Sequence, residues 1–337
     1  MLKLFIARQM VKRTKSRQFT VDYLEQKHVD QAQPYPNDSS YFYGGDWNGN
    51  AIIARMAFRE PKRTNEFWFD FFLKDYGYFG LTGSPGAEGD GFQQGTLKWE
   101  PIEIGKIWRV TFEGTVHDRT GKPHRCVTNL VFTGDHPVYD FAKSSDHEVI
   151  ARAIASEKWT KSFFHAMRDT HQVHYEQTGS LKGTIILNGK TFQMDMMGSR
   201  DHSFGSRNWL SWDRHYWITG VSDAGIHWTV TTIKWQFLGR LTAGFITERD
   251  GTTDAIVDCT DLETVSEKKL LPDQGLIDIK TRSGKIHRME FRRHGEFPYL
   301  HDGKYMMREG IGTYKFDGVD GIGMVEFGFH SDKYQGI

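Results

Sequence analysis

From about Tyr41 onward the chain alternates apolar and polar residues with a period of two, in segments separated by Gly, Asp and Asn turns, the pattern of antiparallel sheet. Trp108, Val110, Phe112 and Val116 share one strand face, while Arg109, Thr111, Glu113 and Thr115 share the other, so one side is core and the other wet. Leu181–Leu187 and Lys190–Met196 flank Asn188-Gly189, a pair suited to the two positive φ values of a type I′ hairpin turn. Further turns are expected at Thr120-Gly121, Asp250-Gly251, Ser283-Gly284, Asp302-Gly303 and Asp317-Gly318, a spacing that suits an up-and-down barrel or sandwich.

One segment breaks the rule. From Ser145 to about Arg168 the apolar residues Val149, Ile150, Ala153, Ile154, Trp159, Phe163 and Met167 recur at helical spacing, behind a capping box of Ser145 and Glu148. The helix divides the chain into a β domain over 36–143, a helical connector over 144–171 and a second β domain over 172–337, preceded by a basic leader over 1–35. The two halves show no residue-level repeat.

Composition narrows the function classes. The 337 residues carry 43 Lys+Arg against 43 Asp+Glu, a balance that argues against a nucleic-acid partner. No run approaches the ~18 apolar residues of a membrane-spanning helix. The chain is rich in sheet formers, with 24 Phe, 13 Tyr and 10 Trp. Cys126 and Cys259 are the only cysteines, too few for a disulfide framework or a CxxC site, and a reducing compartment follows. Cytoplasmic localisation is expected. The alternative is mitochondrial, because Lys3, Arg8, Lys12, Arg13, Lys15 and Arg17 precede the first acid, Asp22, as in a transit peptide; the plainer reading is a basic, poorly ordered leader.

The densest polar and aromatic stretch is Gly198–Trp209, followed by Trp212–Trp217, read as a strand-end loop entering a new strand at His215. Arg200 and Arg207 could each hold a carboxylate or phosphate, and Asp201 and His202 could exchange a proton. A network of Arg and Asp that merely fixes an irregular connection is an equally good reading. Next to it, His215, Trp217, His227 and Trp235 combine apolar area with titratable groups, as the lining for an apolar ligand with one polar anchor would; aromatic packing in a large core is the plainer alternative. No metal and no cofactor is expected. His147-Glu148 lacks the second histidine of a zinc helix, His171 and His174 lack a third ligand, and Asp46–Asn50 lacks the glycine and glutamate of a calcium loop. The glycine-rich run Gly83–Gly91 has no Lys-Ser/Thr and reads as a turn or lid.

The run Val173–Gln177, the hairpin Gly183–Asp195, the signature Arg200–Trp209 and the ending Gly312–Phe329 resemble an uncharacterised family of tandem lipocalin-like proteins. That family is distantly similar to the group of carotenoid 1,2-hydratase, AttH, a yeast survival factor and the lipocalin-like Diels–Alderases. The segment from Ser40 to Gly45, through Arg59 and Trp68, is also similar to a region that precedes phosphoenolpyruvate synthase-like domains in some animal proteins. The group's Asp-His-x-Trp-Gly pattern corresponds here to Asp201, His202, Ser203, Phe204 and Gly205. Phe204 stands where the pattern has tryptophan, and Ser206 where close relatives have proline, departures that bear on ligand and activity.

The resemblance implies a mainly β protein of two calycin-type antiparallel barrels or sandwiches in tandem, with an apolar ligand in one barrel or between them. The leading expectation is therefore a protein that binds a terpenoid, polyene or lipid, with or without acid–base hydration, isomerisation or cyclisation. Arg200, Asp201, His202 and Arg207 would form the polar end, with Asp201 and His202 catalytic, and Trp209, Trp212, His215, Trp217, His227 and Trp228 the lining. The competing classes are a ligand-free interaction module and a carbohydrate binder that stacks sugars on Trp47, Trp68 and Trp99. Oligomeric state is left open.

Overall fold

The computed structural model describes residues 1–15, 19–83, 91–261 and 272–333; the run 84–90, most of the glycine-rich stretch, lies outside them. The described chain forms two compact units, Phe19–Tyr139 with Gln172–Arg207, and Met1–Gln18 with Asp140–His171 and Asn208–Ile337.

In the first unit, β1 (Pro36–Gly45), β2 (Ala51–Phe58), β3 (Glu66–Leu73) and β4 (Gly77–Gly83) form a meander. β5 (Phe92–Gln94), β6 (Leu97–Glu103), β7 (Ile107–Asp118) and β8 (Pro123–Gly134) form a second. The short β9 (Tyr139–Asp140) follows. Two long strands, β10 (Gln172–Leu187) and β11 (Lys190–Ser206), join the meanders, because β11 pairs with β1 and β10 with β8. The sheet closes where Phe79 and Gly80 of β4 meet Asp118 and His117 of β7. Its interior is packed with Phe42, Phe69, Phe71, Trp99, Phe112, Phe132 and their neighbours.

This changes the domain boundary expected at residue 172. Asn188 (φ 50°) and Gly189 (φ 83°) do form the tight hairpin turn, but the strands on either side of it complete the N-terminal barrel. A strand is assigned by its hydrogen-bonding partners, and these lie far away in sequence.

The second unit is a closed antiparallel barrel of β12 (Trp212–Ser222), β13 (His227–Trp235), β14 (Arg240–Thr247), β15 (Thr253–Cys259), β16 (Gln274–Thr281), β17 (Ile286–His301), β18 (Tyr305–Phe316) and β19 (Val319–His330). Closure removes every sheet edge, the usual solution for antiparallel sheets of this size. The turns expected at Asp250-Gly251, Ser283-Gly284, Asp302-Gly303 and Asp317-Gly318 all connect neighbouring strands, with positive φ at each glycine. Thr120-Gly121 does the same between β7 and β8. Asp46–Asn50 is the β1–β2 turn, where the Asp46 carboxylate accepts from the Asn50 backbone N–H at 2.9 Å and its side-chain amide at 2.7 Å.

The helices are α1 (Leu2–Lys15), α2 (Val21–Leu24), α3 (Phe141–Ser144), α4 (His147–Ser156) and α5 (Lys161–Asp169). The single helix expected over 145–168 is thus two, broken at Glu157–Thr160. Asp146, rather than Ser145, caps α4 by accepting from the N–H groups of Glu148 and Val149, and Thr160 caps α5. Within the basic leader, Leu2–Lys15 is helix and packs on α4. Ala7 and Val11 on α1 are buried with Ala151 and Ile154 of α4, and Arg8 pairs with Glu148 at 2.7 Å.

Trp228 shows how the second barrel is filled. It points inward from β13, stacked on Phe316 at 4.6 Å and edge-on to Tyr314. Space for it comes from glycine: a Cβ on Gly220 would lie 2.5 Å from the indole, and one on Gly321 2.7 Å. Trp228 is therefore core, on the opposite face of β13 from His227, and not part of a shared lining with it. Trp228→Ala should destabilise the protein by roughly 3–5 kcal/mol, as large aromatic truncations in cores do. Chemical unfolding checks this, and a loss below about 1 kcal/mol would refute the core assignment.

Candidate functional site

Strand geometry decides which of the expected site residues can work together. Arg200, Asp201, His202 and Ser203 all lie within β11 rather than in a loop, so their side chains alternate between the faces of the sheet. Arg200 and His202 share the inward face with Met194 and Met196, which belong to the barrel core. Asp201 faces the other way, with Tyr41 on β1 and Glu176 on β10 as its register partners. Asp201 and His202 are consequently not a proton-exchanging pair.

The inward pair is tied to the segment that precedes β1. Arg200 donates to Glu25, just past α2, at 2.7 Å, and to the side-chain oxygen of Gln177 at 2.8 Å. Glu25 also accepts from the Tyr175 hydroxyl at 2.8 Å and the Trp108 indole at 2.6 Å. All these side chains are buried. Burial alone would lower the Arg200 pKa, but Tyr175 and Glu25 outweigh it and hold the guanidinium above its ordinary value. The Tyr175 hydroxyl is pushed well up, first by burial. Breaking such a pair exposes an uncompensated buried charge, which makes Glu25 a fastener for the chain entering the barrel.

His202 is a second fastener. Nδ1 lies 2.8 Å from the Leu24 carbonyl oxygen and Nε2 2.8 Å from the Asp38 carboxylate. Both partners accept only, so both ring nitrogens donate and the ring is an imidazolium. Burial disfavours that charge, yet Asp38 and the Leu24 carbonyl together raise the His202 pKa above its ordinary value. Arg207 donates to Gln172 at 2.7 Å and to Ser203, which again joins β11 to β10. In the first barrel these polar groups are thus paired with one another, with β10 and with the segment that leads into β1.

The second unit gathers the other expected residues differently. Odd-numbered residues of β12 face away from the barrel interior, which holds Tyr216 and Ile218. His215 and Trp217 therefore share the outer face, with Thr231 beside Trp217 on β13 and Glu326 beside it on β19. His215 makes two contacts: Nδ1 with the Tyr305 hydroxyl at 2.6 Å, and Nε2 with the Glu326 carboxylate. An ionised carboxylate can only accept, so Nε2 carries a proton; in the neutral ring Nδ1 then accepts from the Tyr305 hydroxyl.

Aromatic rings enclose this trio. Trp209, on a short 3-10 turn (Trp209–Ser211), stacks on Tyr305 at 5.4 Å and on His301 at 4.3 Å. Trp212 meets His215 edge-on at 5.2 Å and Trp235, its partner on β13, at 5.6 Å. A register shift between Trp212 and Arg214 brings Trp212 and His215 together, although a regular strand would put residues three apart on opposite faces. The buried indole Nε1 atoms of Trp212 and Trp235 have no hydrogen-bond acceptor among the described residues. His227 lies on the same outer face but near the other end of β12, opposite Val221.

Tyr305, Glu326 and His301 are not among the residues the sequence singles out: Glu326 lies in the Gly312–Phe329 ending that carries the resemblance, but no local spacing marks any of the three as a proton-transfer group. Alternation in Tyr305–Phe316 and Val319–His330 was the available signal: it places polar residues among apolar ones at positions that a simple strand would leave to packing. The proposed sugar platforms do not survive. Trp99 is in the first barrel's core, and Trp68 is buried with Arg55 over its ring at 4.5 Å, leaving Trp47 exposed.

Two tandem antiparallel barrels define a lipocalin-like protein, and similar solved structures show the same fold. An AttH candidate from Nitrosomonas europaea matches with a TM-score of 0.55 at 12% identity, over 90% of this chain and 98% of that one. Kievitone hydratase from Nectria haematococca matches with a TM-score of 0.55 at 10% identity, over 94% and 97%. CghA, solved with Sch210972, matches with a TM-score of 0.52 at 9% identity, over 89% of each chain. No curated protein matches the chain. A family model covers residues 21–331, and the chain belongs to that family, "Domain of unknown function (DUF7064)".

The His202 pair makes stability depend on pH. Its folded pKa lies above the unfolded value of about 6.5, so its contribution is complete below that pH and is lost as pH rises through the folded value. Nitrogen NMR of the ring at pH 7 should show both nitrogens protonated; a neutral His202 would refute the two-acceptor assignment.

Proposed function

We propose that the protein binds an oxygen-bearing, largely apolar small molecule at the outer face of β12, β18 and β19, and transfers a proton to or from it without a cofactor. The observation that carries this reading is the chain of contacts from Tyr305 through His215 to Glu326 inside an aromatic surround. A substrate O–H proton would pass to Tyr305 as Tyr305 passes its own proton to Nδ1 of His215. The imidazolium so formed stays paired with Glu326, the same logic by which a buried carboxylate supports a histidine base. In reverse, the same groups protonate the substrate.

The surrounding residues suit such a ligand. Trp209 and Trp212 offer broad apolar faces, and burial of apolar area contributes about 25 cal/mol per Å². The indole N–H groups of Trp212 and Trp235 supply donors for a substrate oxygen. Both the hydratase name of one similar structure and the presence of the small molecule Sch210972 in another favour action on a small molecule over ligand-free interaction. Arg200, His202 and Arg207 act in this reading as supports of the first barrel.

The test begins with native mass spectrometry of the protein from its own cells, to recover a bound compound, and continues with turnover of that compound. General acid–base groups contribute about 10²–10⁴-fold, so Tyr305→Phe should slow turnover by at least about 100-fold with affinity changed by less than about threefold. Glu326→Gln should slow it as well. Undiminished turnover in Tyr305→Phe would remove the relay.

A further inference from the structure

We propose that the second unit docks on anionic membrane surfaces through α1 and α5. The two faces of α1 are unlike. At 100° per residue, Leu4, Ala7 and Val11 lie on the arc packed in the apolar cluster with α4, whereas Leu2, Phe5, Ile6, Gln9, Lys12 and Arg13 lie on the opposite arc, and all six are exposed. Leu2 is 72% exposed and Phe5 59%, on an element that is otherwise firmly held.

This outer arc is apolar over its first two turns and cationic over its third. It also has a neighbour of the same character. The Lys3 ammonium lies 5.7 Å from the centre of the Trp159 ring and donates to the Glu157 carbonyl at 2.7 Å. Trp159 in turn meets Phe164 of α5 at 5.6 Å, and Phe164 is 39% exposed. Lys158 and Lys161 flank it and are exposed.

The nearby acids are engaged. Glu148 pairs with Arg8 and Arg152, the Glu157 carboxylate accepts from the Gly239 N–H at 2.8 Å, and Asp169 lies 3.5 Å from Arg168. A chain that is neutral overall thus concentrates cations and exposed apolar side chains on one helical face. Large apolar residues bordered by lysines match the chemistry of the lipid interface, where acyl chains accept the former and anionic headgroups attract the latter. A nucleic acid would use the cations and leave Leu2, Phe5 and Phe164 in water. No helix of the described residues is long and apolar enough to span a bilayer, so the contact is one of surface docking.

Flotation of the full chain, carrying any tag at its C-terminus, with two kinds of vesicle tests the proposal. The protein should float with phosphatidylcholine–phosphatidylserine vesicles at a ratio of roughly 7:3, much less with phosphatidylcholine alone, and release in about 0.5 M salt. Phe5→Glu and Leu2→Glu should each reduce binding at least about tenfold with an unchanged melting temperature, since both side chains are exposed. The double variant Lys158→Glu with Lys161→Glu, on different elements, should weaken binding to the anionic vesicles independently of any effect on α1. Failure of the unaltered protein to float with anionic vesicles overturns the proposal, as does flotation unaffected by these substitutions.

Discussion

Both barrels are governed by one constraint: their inward faces carry large apolar side chains that pack on one another. A strand sends successive side chains to opposite faces, and in a small barrel the inward set must meet at the axis. In the second barrel that set includes Tyr216, Trp228, Phe291, Phe316 and Phe327, close-packed and apolar. Groups that are to meet a ligand and move protons are then displaced to the outward set. This is why His215 and Glu326 face outward while the neighbouring Tyr216 and Val325 are buried in the interior. The proton relay we propose uses the face that the core leaves over.

The first barrel meets the same constraint differently. Toward one end of its inward face, apolar packing gives way to Tyr175, Gln177, Arg200 and His202, and buried charges of this kind persist only when paired and hydrogen-bonded. Glu25 and Asp38 provide the pairing from the segment leading into the barrel and its first strand. That segment is therefore positioned by electrostatics as much as by Leu24 packing on Tyr175 and Phe204. Arg200 and His202 of the signature are thereby tied to the chain that precedes the barrel.

Much of the architecture was legible because it is local. Asn188-Gly189 and Asp317-Gly318 announce their turns by the φ values they tolerate, and alternation around Trp108 announces its strand. What could not be read depends on distant partners. Nothing in Gln172–Ser206 says that β10 and β11 close a sheet begun at Pro36, which places them in the first unit rather than the second. Asp201 and His202 lie on opposite faces for a simpler reason, since β11 continues through the stretch whose sequence suggests a loop. Alternation alone puts His215 and Trp217 on one face, but the partners of His215, Tyr305 and Glu326, lie about 100 residues away and reach it only through β12–β19 and β18–β19 pairing.

The central claim is that ligand binds at the outer face of the second barrel and not in its interior. The ten tryptophans report on this directly through their indole N–H resonances. Titration with the compound recovered from native protein should move the Trp212 and Trp235 resonances and leave those of Trp228 and Trp99, in the two cores, in place. Movement of Trp228 with Trp212 and Trp235 unchanged would put the ligand inside the barrel and contradict the account.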